Sequence, residues 1–350
     1  MKYYVPLLAL AVVVTLAAPA VAQEVTPEAA EPRRSLDLTV KDVGVSIGDS
    51  RRVVGLRLNF RDRHLEEVVG INATIWTPYE YTGTVRGLAL GLPMTGAKAI
   101  DGIGLGLLGV GAGESIRGLA IGGIGLGAGE DVHGIGIGGI GIGAGRDVRG
   151  IMIGGIGAGA GGSARGLAAG GIGVGAGGDA GGILIGGIGA GIGGDLRALS
   201  IAGVGIGAGG TIDGVTIAGV GVGAGGNVNG VQVAGIGIGA GGTLRWLSVA
   251  GIGVGAPSIE GVAIATTVGG QRVRALVIAP AYFRIAADGV VNGLNISAFN
   301  HVRGTQQGLA IGIFNYARQL DGVQLGLLNY AANKPRGTRL LPIFNYARAD

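Results

Sequence analysis

The chain alternates apolar residues with small or polar ones, and the unit at 228–242 shows the pattern clearly. There Val231 and Val233 flank Gln232, which predicts a β-strand with its two valines turned toward a buried face. The phase of the alternation breaks at Ala234-Gly235, which predicts one glycine-rich corner. A second corner is predicted at Gly241-Gly242-Thr243, where the unit ends. A second, shorter strand is predicted where three aliphatic residues alternate with glycine, namely Ile236, Ile238 and Ala240.

The same unit recurs along most of the chain, and each copy opens on a small residue followed by two apolar residues. The openings are 16 residues apart from Gly102 to Trp246 and 14 to 18 residues apart elsewhere. About 19 units are predicted between Gly55 and the end, the last opening at Gly337. The predicted organisation is a signal peptide (1–22), a linker and N-terminal cap (23–54), irregular N-terminal repeats (55–101), regular glycine-rich repeats (102–260), and asparagine-containing repeats with a cap (261–350).

Two all-β architectures fit this repeat, and a helical one does not. Twelve of the 31 residues in 214–244 are glycine, which costs a helix about 12 kcal/mol relative to alanine. The favoured fold is a repetitive parallel β-solenoid with glycine-rich rungs of about 16 residues. The alternative is an up-and-down outer-membrane β-barrel, but the identical step lengths and the lack of aromatic residues between Tyr81 and Trp246 are atypical of barrels.

Composition narrows the class of protein further. The chain has 80 glycines among 350 residues, 14% charged residues and no cysteine. This composition is too apolar for a disordered coil and predicts a slim aliphatic interior without disulfides. The first 22 residues resemble a secretory signal cut before Gln23, with a retained anchor as the alternative. We therefore expect an exported protein of the cell surface, outer membrane or periplasm.

The C-terminal units replace the glycine pattern of the middle units with a different column, in which asparagine recurs at one equivalent position. The segments are FNHV at 299–302, FNYA at 314–317, LNYA at 328–331 and FNYA at 344–347. Stacked asparagines can form a hydrogen-bonded ladder, and a left-handed turn is the alternative explanation. The predicted ladder consists of Asn300, Asn315, Asn329 and Asn345.

These C-terminal units also resemble a known family. The segment GLAIGIFNYARQLDGVQLGLLNYA at 308–331 is similar to bacterial surface-repeat proteins, whose units follow G-[LV]-[NQ]-[IL]-G-[LF]-x-N. The similarity extends over about 290–350 and reduces to shared spacing in the glycine-rich middle, where the asparagine is lost. The resemblance implies export and a repetitive β architecture, and it brings no catalytic residues with it.

Two surface features suggest partners. The position before each opening often holds arginine, which predicts a stripe for an anionic surface polysaccharide or lipid headgroup. The alternative is that these corners simply carry soluble residues that block edge pairing. Outward rows of glycine, such as Gly125 and Gly127, predict a smooth face that allows self-association. The predicted stripe consists of Arg117, Arg149, Arg165, Arg197 and Arg245.

The sequence offers little chemistry for catalysis. The strings of G-x-G-x-x-G type, as at Gly134, follow from composition, and no helix is predicted after them to hold a phosphate. His64, His133 and His301 lie far apart and are expected to be solvated, so no metal or cofactor is predicted. Without Lys2 of the signal, 25 basic residues stand against 22 acidic ones, a net charge too weak to indicate a nucleic-acid partner. We expect a non-enzymatic repeat protein with a structural, adhesive or surface-interaction role. The alternatives are an outer-membrane pore and, more remotely, a polysaccharide-active solenoid enzyme.

Overall fold

The structure is a computed structural model, and it describes residues 35–348. About three-quarters of these residues lie in β-strands, and the described part of the chain has one 3-10 helix, near its C-terminal end. The predicted signal peptide, residues 1–22, and the first part of the predicted linker lie outside the described residues.

From β8 to β22, strands of four residues alternate with strands of seven or eight, as a 16-residue repeat requires. The strands are β1 Ser35–Val40, β2 Val43–Gly48, β3 Arg52–Asn59, β4 Glu67–Thr74, β5 Thr84–Gly91, β6 Met94–Gly106, β7 Gly109–Gly122, β8 Gly125–Ala128, β9 Asp131–Gly138, β10 Gly141–Ala144, β11 Val148–Gly154, β12 Gly157–Ala160, β13 Ala164–Gly170, β14 Gly173–Ala176, β15 Ala180–Gly186, β16 Gly189–Ile192, β17 Leu196–Ala202, β18 Gly205–Ala208, β19 Ile212–Ala218, β20 Gly221–Ala224, β21 Val228–Ala234, β22 Gly237–Ala240, β23 Thr243–Ala250, β24 Gly253–Ile264, β25 Thr267–Ile278, β26 Tyr282–Ile296, β27 Phe299–Ala331 and β28 Leu340–Ala347, and the 3-10 helix is Arg336–Thr338.

Successive units lie directly on top of one another with their strands parallel. Gly150 pairs with Gly134 on one side and with Gly166 on the other, so each residue faces its equivalent 16 positions away. The short strands keep the same register, as between β10 and β12. This pairing decides between the two predicted architectures: the chain is a parallel β-solenoid with about 16 residues per turn.

Each long strand bends at the opening residue of its unit, and the bend explains the glycine there. Gly230 has a φ of +105°, a region that residues with a side chain rarely adopt. A Cβ at this position would also fall on the carbonyl oxygen of Gly214 in the neighbouring rung. The backbone conformation at Gly230 therefore requires glycine. Three openings lack glycine: Trp246 keeps a positive φ (+81°), whereas Ala198 and Ala275 do not have a positive φ.

The inward and outward faces of the long strand are the reverse of the prediction. Gln232 is fully buried, whereas Val231 is 37% exposed and Val233 is 38% exposed. The reason is that β21 runs unbroken through Gly230. Because side chains alternate along a continuous strand, the buried Val228 at its start places Gln232 inside and both valines outside.

The interior is slim and consists mainly of aliphatic residues and alanine. Val228 and Ala234 from the long strand pack in the same core as Ile238 from the short strand, and all three are buried. Ile238 thus lies inside as predicted, but Ile236 lies at the corner and is 48% exposed. The two-residue corner changes the phase of the alternation, which turns Ile236 outward.

The N-terminal end of the solenoid begins one rung earlier than predicted. β2 already pairs in parallel with β3, with Gly44 opposite Gly55, so residues 43–48 form a rung rather than part of the linker and cap. β1 then pairs with β2 in the antiparallel direction and occupies the end of the sheet. The cap within the described residues is therefore the single strand β1.

The C-terminal end departs from the repeat after β27. Gly337 does not open a rung, as was predicted, but lies in the 3-10 helix. β28 then pairs with β27 in the antiparallel direction, which places Asn345 opposite Gln324 instead of above Asn329. Pro335 immediately precedes the helix and marks the place where the parallel stacking ends.

Candidate interaction surfaces

The predicted arginine stripe lies along one outward edge of the long strands, but acidic residues of the same chain neutralise much of it. Arg117 contacts Asp101 at 3.5 Å, and Arg245 contacts Glu260 at 3.1 Å. Arg197 contacts Asp195 at 2.9 Å and also approaches Asp213. These surface pairs leave little net charge along the edge, because each positive head faces a carboxylate.

Arg149 and Arg165 differ from the other arginines of the stripe. They face each other across β11 and β13 in adjacent rungs. Neither forms an ion pair with a residue in the described part of the chain. They are therefore the members of the stripe that retain positive charge for an anionic partner.

A cluster of three charged residues spans two stacked corners: Glu130 and Asp131 lie where β8 meets β9, and Arg146 lies where β10 meets β11 in the next rung. Arg146 donates hydrogen bonds to Asp131 at 2.6 Å and to Glu130 at 3.2 Å. The hydrogen bond from Arg146 lowers the pKa of Asp131 to about 2, because it stabilises the charged carboxylate. The Asp131 carboxylate is thus held ionised beside arginine, an arrangement that stabilises the corner.

Three of the four asparagines in the predicted ladder are joined by hydrogen bonds inside the C-terminal rungs. The Nδ2 of Asn300 donates to the Oδ1 of Asn315 at 2.7 Å, and Asn315 donates in the same way to Asn329 at 2.7 Å. All three side chains are fully buried. Asn345 lies outside this column, on β28, where its side chain donates to the carbonyl oxygen of Asn329.

The outward aliphatic residues form a continuous apolar surface along the solenoid. Two columns come from the long strands, represented by Val231 and Val233, and a third comes from the corners. We call this third column the aliphatic ridge, and its members are between 41% and 58% exposed. The ridge consists of Ile124, Ile140, Ile156, Ile172, Ile188, Val204, Val220, Ile236 and Ile252.

Beside the ridge, the short strands present only glycine to the outside, as was expected of rows such as Gly125 and Gly127. A Cβ on these residues would meet no atom of the chain nearer than 3.4 Å, and none has a positive φ. The fold itself therefore does not require glycine here. We call this surface the glycine strip: Gly125, Gly127, Gly141, Gly143, Gly157, Gly159, Gly173, Gly175, Gly189, Gly191, Gly205, Gly207, Gly221, Gly223, Gly237, Gly239, Gly253 and Gly255.

The N-terminal continuation of the glycine strip is covered by an aromatic ring of the same chain. Gly96 and Gly111 occupy the same column as Gly127. The ring of Tyr81 lies against both, and a Cβ at Gly111 would come within 2.7 Å of the Tyr81 hydroxyl oxygen. This part of the surface shows why glycine is useful there: it lets a flat ring approach the backbone closely.

The C-terminal continuation of the same columns carries aromatic rings instead of glycine. In one column, Gly253 is followed by Thr267 and then by Tyr282. In the next column, Gly255 is followed by Gly269, Arg284 and then His301. Ring centroids of neighbours lie 5.2 to 5.4 Å apart, for example between Phe299 and Phe314. We call this set the aromatic ladder: Tyr282, Phe299, His301, Phe314, Tyr316 and Tyr330.

His301 was expected to be a solvated surface residue, but it lies among the rings of this ladder. It stacks on Phe299 and accepts or donates a hydrogen bond with the hydroxyl of Tyr282 at 2.8 Å. Burial lowers the pKa of His301, and the nearby Arg303 and Arg284 lower it further. The imidazole is therefore neutral at physiological pH, and the ladder presents uncharged rings.

Sequence reasoning missed a buried polar network in the N-terminal rungs. Arg57 is fully buried and forms an ion pair with Asp62. It also donates to Asn72 at 2.9 Å, and Thr74 donates to Asp62 at 2.7 Å. Arg57 and Asn72 occupy the same inner column as Gln232, so polar residues two positions after an opening were the signal for it.

The remaining chemistry of the described residues is sparse. Between residues 35 and 348, no three His, Asp or Glu side chains cluster in a way that could hold a metal ion. In the same part of the chain, no helix is long and apolar enough to cross a membrane. The glycine strings of G-x-G-x-x-G type lie on strands and corners of the regular rungs. No known protein family, curated protein or solved structure that was compared with this chain matches it.

Proposed function

We propose that this chain is an exported, non-enzymatic repeat protein with a structural role, and that it acts by associating with further copies of itself. The glycine strip carries this proposal. Nine consecutive rungs keep glycine at two outward positions where the fold would accept a side chain. Glycine in a strand weakens it and often marks the close approach of another backbone, so its retention here suits a contact surface.

The surface beside the strip supports the same role. The aliphatic ridge exposes a row of isoleucine and valine next to the glycines, with the same spacing from rung to rung. Exposed apolar surface of this extent is typical of interaction sites rather than of isolated monomers. The groups that these columns present are hydrocarbon and peptide, which suit packing and not acid–base or nucleophilic chemistry.

Export is supported by the sequence, where a charged residue, an apolar stretch and an A-x-A site precede Gln23. The resemblance of the C-terminal repeats to bacterial surface-repeat proteins agrees with the same location. We propose the cell surface, outer membrane or periplasm as the site of action. An anionic polysaccharide or lipid partner would bind at Arg149 and Arg165, the unneutralised part of the stripe.

The experiment is sedimentation velocity over a range of protein concentrations. The mature chain is expected to associate as its concentration rises. The triple variant Gly143→Lys, Gly175→Lys, Gly207→Lys places three charges on the strip, in space that the fold leaves open. It should remain monomeric and keep its β-sheet circular dichroism.

A charge-matched control places the three lysines in the column of the arginine stripe instead of on the glycine strip. Gly181→Lys, Asn229→Lys, Asn292→Lys adds the same charge at the column that precedes the unit openings, away from the strip. This variant should associate like the unmodified chain. A mature chain that stays monomeric at every concentration would contradict the proposal, as would equal association of the strip variant and its control.

A further inference from the structure

We propose that the aromatic ladder of one copy packs on the glycine strip of a second copy, with the two solenoids antiparallel. This inference rests on the proposed self-association and names the segments that make the contact. It joins two surfaces that occupy the same columns of the same sheet, one without side chains and one with bulky rings.

The first argument comes from Tyr81, which already makes such a contact within the chain. Its ring lies on Gly96 and Gly111, in the columns that the glycine strip continues. A ring on this backbone surface is therefore a packing arrangement that the protein uses. Further along the solenoid, from Gly125 to Gly255, the equivalent surface has no ring from the described chain on it.

The second argument is the match in spacing. The ladder and the strip belong to the same parallel sheet, so both repeat at the separation of adjacent strands, about 4.8 Å. The ring centroids, 5.2 to 5.4 Å apart, are close enough to this separation for neighbouring rings to lie over neighbouring rungs of the strip. The rings are half-buried in the single chain, and the partner's backbone would cover their remaining surface.

The third argument is symmetry. A two-fold axis that lies in the contact plane, parallel to the strands, reverses the order of the rungs and leaves each column facing itself. The ladder of each copy then faces the strip of the other, and both contacts form at once. Such a pair is closed, because both copies use the same surface.

The fourth argument is charge. Arg303 lies on the ladder side of the C-terminal rungs, two residues after His301, whereas the neighbouring Arg318 is paired with Asp288 at 2.9 Å. In the regular rungs, carboxylates lie at the corners on the corresponding side of the glycine strip. Asp147 and Asp179 are examples, and each accepts a hydrogen bond from a backbone N–H of the next rung. The antiparallel arrangement brings Arg303 toward the partner's carboxylates. Over the sequence, residues 261–350 hold nine basic and three acidic residues, whereas residues 1–260 hold 17 basic and 19 acidic.

The contact can be tested by cross-linking, because the chain has no cysteine of its own. One preparation carries Gly159→Cys in the strip, and another carries Tyr316→Cys in the ladder, in the column that contains Gly159. When the two are mixed and oxidised, a disulfide-linked heterodimer is expected in at least tenfold excess over that from Gly159→Cys mixed with Leu199→Cys. Leu199 lies on the outward aliphatic face of the long strand and serves as the matched control.

A second measurement tests the rings themselves. Phe299→Ala with Tyr316→Ala should weaken association at least tenfold in sedimentation velocity, whereas Trp246→Ala, which removes an exposed ring elsewhere, should leave it unchanged. If the ladder variant associates normally while the strip variant does not, this inference is wrong and the proposed self-association stands. If the unmodified chain never associates, both are wrong.

Discussion

Asn315 connects the rung before it to the rung after it through both ends of its amide. It accepts a hydrogen bond from Asn300 and donates one to Asn329, each at 2.7 Å. It donates a further hydrogen bond to the carbonyl oxygen of Leu325 at 3.0 Å. Because the column is fully buried, no water can replace a missing partner, and an unpaired amide keeps its full desolvation cost.

Asn315→Ala should therefore lower the free energy of unfolding by about 2–3 kcal/mol, since it removes the donor to the Oδ1 of Asn329 and one of the acceptors of the Nδ2 of Asn300. Urea denaturation followed by circular dichroism measures the change. Asn292→Ala removes an exposed asparagine from the same region and should change stability by less than about 0.5 kcal/mol. Similar losses of stability in the two variants would show that the asparagine ladder does not stabilise the fold.

The column of inward side chains that contains Thr216 and Gln232 offers a test of which face of the long strand is buried. Thr216 is fully buried between Ser200 and Gln232, and its hydroxyl oxygen has no hydrogen-bond partner. Thr216→Val should raise the free energy of unfolding by about 1 kcal/mol, because it replaces an unpaired hydroxyl by a methyl group of similar size. Thr211→Val, at a half-exposed corner, should have almost no effect. A destabilised Thr216→Val variant would contradict the inward orientation.

The repeat length, the parallel stacking and the glycine corners could be predicted from the sequence, but the orientation of the long strand could not. Alternation around Gln232 defines two faces without saying which one is buried. The deciding fact is that the strand continues through Gly230, so the buried Val228 fixes the phase. That continuity depends on a backbone conformation with positive φ, which composition alone does not reveal.

The structure at the ends of the solenoid also could not be predicted from the repeat pattern. Residues 344–347 repeat the letters of 314–317, which predicts another equivalent rung. Pro335 and the 3-10 helix reverse the chain before them, so the same four letters form an antiparallel cap. Of the surfaces, the glycine strip was anticipated from its spacing, whereas the aromatic ladder required the register that joins Gly253 to Tyr282.

The two kinds of glycine in each unit should respond in opposite ways to alanine. Gly150→Ala places a Cβ on the carbonyl oxygen of Gly134 and requires a φ of +131° in a residue with a side chain. It should lower the unfolding midpoint markedly. Gly143→Ala meets only ordinary contacts and reduces the freedom of the unfolded chain, so it should be neutral or more stable by up to about 1 kcal/mol. Thermal unfolding of the two variants measures this, and equal destabilisation would contradict the distinction.

The charged corner predicts a specific dependence on pH. The pKa of Asp131 is lowered to about 2, mainly by the hydrogen bond from Arg146, whereas an aspartate in the unfolded chain titrates near 3.9. Because the folded state binds this proton less readily, the carboxylate contributes stability above about pH 4, and that contribution is lost as the pH falls toward 2. In Arg146→Gln the pKa of Asp131 should rise toward its ordinary value. Carboxyl NMR titration measures both midpoints. Arg149→Gln, which removes an arginine that does not contact Asp131, should leave the titration unchanged, and an equal rise in that variant would mean that general charge, not the hydrogen bond, sets the pKa.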